Sequence, residues 1–150
     1  MEWIAALRGA VVGLDTAPLI YLIEENPTYL PIVRPFFEAL DRGEFRVTTS
    51  ILTLTEVLVH PMRQGDQELA GQYRRILLQA AHVTTVPVSE AIAEGAAQIR
   101  AHHGLRTPDS IQVATALHSG ASFLLTNDGR LPTLASLKVL VLNQLIANRP

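Results

Sequence analysis

The residues of this sequence best suited to chemistry are oxygen donors placed where strands end and helices begin. Asp15 interrupts the apolar, β-rich run Val11–Leu14 at the point where a strand should stop. Asp109 follows Thr107-Pro108, a helix-start signal with Thr107 as cap and Pro108 as the first helical residue, so its carboxylate belongs to a first turn. Asp128 follows the strand-like run Ser122–Thr126. Glu56 interrupts the helical apolar pattern Ile51, Leu54, Val57 and Leu58, and so can point inward. Thr126, closing its strand, can orient Asp128 or hold a water through its hydroxyl. Taken singly, each has an ordinary role: Asp15 a helix cap, Asp109 a complement to the helix dipole, Asp128 part of an Asn-Asp-Gly turn, Glu56 the partner of an arginine, Thr126 a plain strand residue. Taken together, they predict a cluster, and clustered carboxylates repel unless protonated, paired or bound to a cation. Mg²⁺ or Mn²⁺ resolves that conflict, because both prefer carboxylate oxygen and water and need few protein ligands where phosphates supply the rest. Such a cluster can hold one or two ions, activate a water and stabilise charge at phosphorus, which is the chemistry of phosphodiester hydrolysis.

The elements that must position these acids follow a strand–helix alternation. After Val11–Leu14, Thr16 and Pro18 open a helix whose apolar face is Leu19, Ile20, Leu22 and Ile23, ending at Glu24-Glu25-Asn26-Pro27. Tyr29–Arg42 is a second helix, broken or kinked at Pro35 and stopped by Gly43. Phe45–Thr49 is strand-like, and Ser50 starts a helix that fades at His60-Pro61. Asp66 caps a helix to about Ala80, and His82–Val88 is the third β-rich stretch. Ser89 caps a helix through His103, with Ile92, Ala96 and Ile99 inward. The helix opened at Thr107 is closed by Gly120, Ser122–Thr126 is the fourth strand and Lys138–Leu142 the fifth. This alternation implies right-handed crossovers and a mostly parallel sheet covered on both faces. Asp15, Asp109 and Asp128 then share one sheet edge, the edge where open α/β sheets bind ligands.

Composition fits a compact domain. With 150 residues, 48% hydrophobic and 17% charged, and neither repeat nor linker visible, the whole chain 1–150 reads as one domain. Cysteine is absent, so there is no disulfide framework, thiolate metal site or thiol nucleophile. The start lacks a basic n-region and Arg8 cuts its apolar run short, so no signal peptide is expected. Ile111–Asn127 is uncharged but too polar to span a membrane. A soluble cytoplasmic protein is the expectation. The net charge of −2 counts slightly against nucleic-acid binding. Lys138 is the sole lysine; Arg63, Arg74 and Arg75, and likewise Arg100 and Arg106, fall near one another and can form a local phosphate-binding rim or a solvated helix face.

Leu14-Asp15-Thr16, Thr55-Glu56-Val57, Thr107-Pro108-Asp109-Ser110-Ile111-Gln112-Val113-Ala114-Thr115-Ala116 and Leu125-Thr126-Asn127-Asp128 resemble, in order and spacing, the acidic motifs of PIN domains, and most closely those of VapC-type toxins of toxin–antitoxin pairs. Nearly the whole chain is covered. The resemblance implies a three-layer α/β/α sandwich with a five-stranded parallel sheet and Mg²⁺- or Mn²⁺-dependent cleavage of RNA. It implies that Asp15, Glu56, Asp109 and Asp128 hold the metal, supported by Thr126. It also implies a homodimer held inactive by a cognate antitoxin. Ser110 stands where alanine is common, and Leu131 where an aromatic or other apolar residue often follows the last motif; neither touches the metal chemistry.

Other readings fit less well. His60, His82 and His118 are scattered, and the neighbours His102 and His103 cannot share one helix face, so a histidine-ligated zinc lacks its spacing. No Gly-x-Gly-x-x-Gly follows the first strand and no Gly-Lys-Ser/Thr occurs, which excludes dinucleotide-binding and phosphate-loop folds. Asp15 lacks the acidic neighbour of a phosphoacceptor receiver, and Ala17 breaks the Asp-x-Asp of a dehalogenase-like phosphatase. Two alternatives stay open: a catalytically silent scaffold of the same fold, and a phosphodiesterase that acts on DNA.

Overall fold

The computed structural model describes residues 1–134 and 136–148. Strands β1 (Val11–Leu14), β2 (Arg46–Ser50), β3 (Val83–Val86), β4 (Phe123–Thr126) and β5 (Lys138–Val141) form one five-stranded sheet in the order β3-β2-β1-β4-β5, every pair parallel. The chain builds outward from β1 to β3, then returns to place β4 against the other side of β1. That reversal is a topological switch point, and it opens a crevice beyond the carboxyl ends of β1 and β4.

Two apolar clusters cover opposite faces of the sheet. On one face Val12 and Leu14 of β1 and Leu125 of β4 pack with α2 (Thr16–Ile23), α3 (Leu30–Asp41), α4 (Ile51–Gln64) and α5 (Gln67–Gln79). On the other, Val11 and Leu124 pack with α6 (Glu90–His103) and α7 (Thr107–His118). This split follows the two-residue period of strand side chains, and it gives the expected α/β/α layers. Gly13 has a particular use here. A Cβ at that position would lie 2.8 Å from the Ala116 Cβ and 3.0 Å from a Leu124 methyl, so only glycine lets α7 lie this close to β1. That close approach sets the position of the α7 amino terminus, which carries Asp109.

Several local expectations shift. Thr16 and Thr107 are not caps: Asp15 caps α2, its carboxylate accepting from the Thr16 amide at 2.8 Å, and Arg106 occupies the cap position of α7, leaving Thr107 as its first helical residue. Pro35 does not break α3, and α4 runs through Pro61 to a left-handed Gly65 cap (φ 67°). Both prolines are held by packing, with Phe36 and Phe37 buried beside Pro35 and Pro61 itself buried, and this outweighs the missing amide. The third strand is shorter than His82–Val88. The fifth ends at Val141, where α8 (Leu142–Ala147) begins on a buried Leu142; α8 and the short α1 (Glu2–Ala5) were not expected from the pattern. No helix among the described residues is long and apolar enough to cross a membrane.

Candidate active site

β1 delivers Asp15 to the switch point. Its amide continues the ladder by donating to Leu125 O at 3.0 Å, which fixes the carboxylate beside the end of β4. There the Thr126 hydroxyl donates to Asp15 Oδ2 at 2.8 Å and accepts from the Asp128 amide at 3.0 Å. One fully buried threonine therefore orients Asp15 through its side chain and Asp128 through its backbone. On the α4 side, the Thr16 hydroxyl donates to Glu56 Oε1 at 3.2 Å. Glu56 does not enter the apolar core; it is partly exposed and faces the same cleft. Asp109 reaches the cleft from the first turn of α7.

The cleft has a volume of about 500 Å³, and Asp15, Glu56, Asp109 and Asp128 all line it. Two arginines line it with them. Arg130 forks onto Asp128 at 2.9 and 2.8 Å, and Arg106 meets Asp109 at 3.2 Å. Of the arginines singled out by sequence proximity, Arg106 is at the site, whereas Arg74 lines a separate cleft between α4 and α5 with Met62. Among the described residues no histidine lines the acidic cleft.

The electrostatics divide the acids. Burial pushes the Asp15 carboxyl above its usual range; the Thr126 and Thr16 hydrogen bonds oppose this, and the charges of Asp109 and Asp128 add to it. Partial burial raises Glu56 as well, opposed by the Thr16 bond and reinforced by Asp15 and Asp109. The forked bond from Arg130 instead holds Asp128 below the usual range. Among the described residues, Asp15 and Glu56 have no ion-pair partner. The donor set is hard oxygen throughout, with two acids lacking a counter-charge, and this suits a small divalent cation. The set is not a finished cage: among the described residues no three acidic or histidine side chains converge as ligands would, and Arg106 and Arg130 occupy Asp109 and Asp128.

A buried polar chain ties the acid-bearing elements together. Gln112 of α7 donates to Thr53 Oγ1 of α4 at 2.7 Å and accepts from the Ser50 amide at 3.3 Å. Thr53 shares a 2.7 Å hydrogen bond with Thr49, and the Thr49 hydroxyl donates to Leu14 O, one residue before Asp15, at 2.7 Å. Gln112, Thr53 and Thr49 were not singled out by residue type. A glutamine in the otherwise small and apolar run Ile111–Ala116 was the one signal that could have pointed to this chain.

This arrangement is that of a known class. The sequence profile of the PIN domain family matches residues 12–137, and the chain belongs to that family, a family of nucleases. Among curated proteins, none matches the sequence significantly. Solved structures share the fold. A toxin–antitoxin complex from Klebsiella pneumoniae aligns at 22% identity and a TM-score of 0.64, over 86% of this chain and 95% of that one. VapBC2 from Rickettsia felis, bound to a DNA fragment from its promoter, aligns at 14% and 0.66 over 87% and 98%. VapBC-5 from Mycobacterium tuberculosis aligns at 24% and 0.57 over 88% and 98%.

Proposed function

We propose that this chain is a Mg²⁺- or Mn²⁺-dependent endoribonuclease that acts as one domain and is the toxin of a toxin–antitoxin pair. The observation that carries the catalytic part is the convergence of Asp15, Glu56, Asp109 and Asp128, from separate segments of the chain, on one cleft at the switch point of the sheet. The cation held by these acids would supply positive charge at phosphorus and activation of the attacking water. Asp15, fixed from both sides by Thr16 N and Thr126 Oγ1, is the anchoring ligand in this reading, and its unpaired, partly buried charge is the strongest call for a cation. Thr126 is a positioning residue for Asp15 and Asp128. Thr16 plays that part for Glu56. The neighbours' composition as toxin–antitoxin complexes supports a cognate antitoxin as partner; a second copy of the chain and a cytoplasmic RNA substrate complete the proposal.

Incubation of the purified chain with a mixed RNA pool, with Mg²⁺ or Mn²⁺ and with chelator, tests the activity. Asp109→Asn runs in parallel, and single-stranded DNA serves as a second substrate. Metal-dependent RNA cuts that vanish in the variant are expected. DNA cuts of equal yield would widen the substrate class, and a folded, cation-bound chain that cuts neither polymer would point to a silent scaffold.

A further inference from the structure

We propose that Arg106 and Arg130 are the phosphate-contacting residues of the cleft, parked on Asp109 and Asp128 and handed over to the nucleic-acid backbone when a divalent cation takes those carboxylates. The inference rests on the nuclease reading and adds the part of the site that meets the substrate anion. Among the described residues the cleft holds Asp15, Glu56, Asp109 and Asp128 against only these two guanidinium groups, so its formal charge is negative and a phosphodiester is repelled. Both guanidiniums are meanwhile engaged, Arg130 through a two-pronged fork on Asp128 and Arg106 on Asp109 Oδ2. A divalent cation on the acids cancels the excess negative charge and removes the arginines' partners in the same event.

The side chains can make that exchange. Arg106 and Arg130 are 72% and 73% exposed, while Asp109 and Asp128 are only 15% and 21% exposed. The acids are the fixed members of each pair and the arginines the movable ones. Exposed ion pairs of this kind contribute little to folding, so releasing them is cheap. A guanidinium fork released from a carboxylate matches the two free oxygens of a phosphate equally well. A chain with net charge −2 can thus bind an RNA strand without a broad basic surface, provided the cation binds first.

The test measures binding, not turnover. A fluorescein-labelled phosphorothioate RNA oligonucleotide, checked intact on a gel, is titrated with the wild type, Arg106→Gln/Arg130→Gln and Arg46→Gln. Arg46 is exposed and lies at the amino end of β2, on the opposite sheet edge, so it reports any general charge effect. Mn²⁺ affinity is measured separately by calorimetry for each protein and for Arg130→Lys. The wild type should bind the oligonucleotide weakly in chelator and at least tenfold more tightly with Mn²⁺. The double variant should lose that gain, and its slope of log K against log salt should fall by about 0.7 per arginine. Arg130→Lys, which keeps the charge but not the fork, should bind Mn²⁺ more tightly than the wild type because the competition for Asp128 is weakened. A double variant that keeps the Mn²⁺-dependent gain and the full salt slope overturns the exchange and leaves the nuclease reading intact. A wild type that binds no Mn²⁺ overturns both.

Discussion

Replacing Asp15 by asparagine isolates the electrostatic strain of the cleft, because it keeps the shape of the side chain and its capping ability while removing the charge. The carboxylate now accepts from Thr16 N and Thr126 Oγ1, both at 2.8 Å. An amide keeps one of these as a neutral accepted bond and donates through its nitrogen in the other, with the Thr126 hydroxyl turned to accept, a loss of about 1 kcal/mol each. On the other side stands a partly buried charge beside Asp109 and Asp128, whose desolvation costs several kcal/mol when no cation pairs with it. The difference favours the variant by about 1–2 kcal/mol in the absence of metal. At ~2–4 °C per kcal/mol for a domain of this size, Asp15→Asn should melt roughly 2–8 °C above the wild type in chelator. Mn²⁺ reverses the order. At a hundred times its Kd a cation adds about 2.7 kcal/mol to the wild type, or ~5–11 °C, and the variant should gain less than half of that. Thermal melting of both proteins, in chelator and in Mn²⁺ near neutral pH, reads all four values. A variant that melts below the wild type in chelator would make Asp15 chiefly a structural cap, and an undiminished Mn²⁺ shift would remove it from the ligand set.

Other expectations come from the same geometry. In chelator, stability should rise as pH falls from neutral toward the upper carboxylate range. Asp15 and Glu56 have raised folded values, so their contribution is complete below the unfolded pKa of about 4 and is lost as pH rises through the folded value. Asp128 acts in the opposite sense, its contribution being lost as pH drops through its lowered value; melting across pH in Asp128→Asn should show a flatter acid limb. Gln112→Leu strands the Ser50 amide and removes the hydrogen bond donated to Thr53 inside the fold, and denaturant titration should show a loss of about 2–4 kcal/mol. Gly13→Val drives methyl groups into Ala116 and Leu124; it should cost about 1–3 kcal/mol or more and lower Mn²⁺ affinity in calorimetry by displacing α7 with Asp109. Unchanged Mn²⁺ binding in a destabilised Gly13→Val would mean that α7 tolerates the shift.

What the sequence determined by itself is the layer architecture and which acids line the cleft. The β-rich runs Val11–Leu14, Ser122–Thr126 and Lys138–Leu142 read as buried strands, and Asp15 directly follows the first and Asp128 lies two residues past the second, so chain order placed both on the carboxyl edge. Where local signals compete with packing, the sequence was less informative: Pro35 and Pro61 read as helix breaks, yet burial of Phe36 and Phe37 beside Pro35, and of Pro61 itself, keeps α3 and α4 continuous. α8 was missed because its apolar positions look like an extension of β5 until Leu142 turns into the core. The pairing inside the cleft was beyond one dimension altogether. Thr16 and Glu56 are 40 residues apart and Thr126 and Asp15 are 111 apart, and only the parallel register of β1 with β4 and the packing of α4 beside α2 bring them within hydrogen-bond reach. Arg130 carried no signal in one dimension, and Arg106 looked like part of a loose cationic group or a solvated helix face. That each is held on an acid of the site is a consequence of where the sheet edge and the α7 amino terminus meet. Charge in a sequence has a sign but no position, and in this protein the position decides what that charge binds.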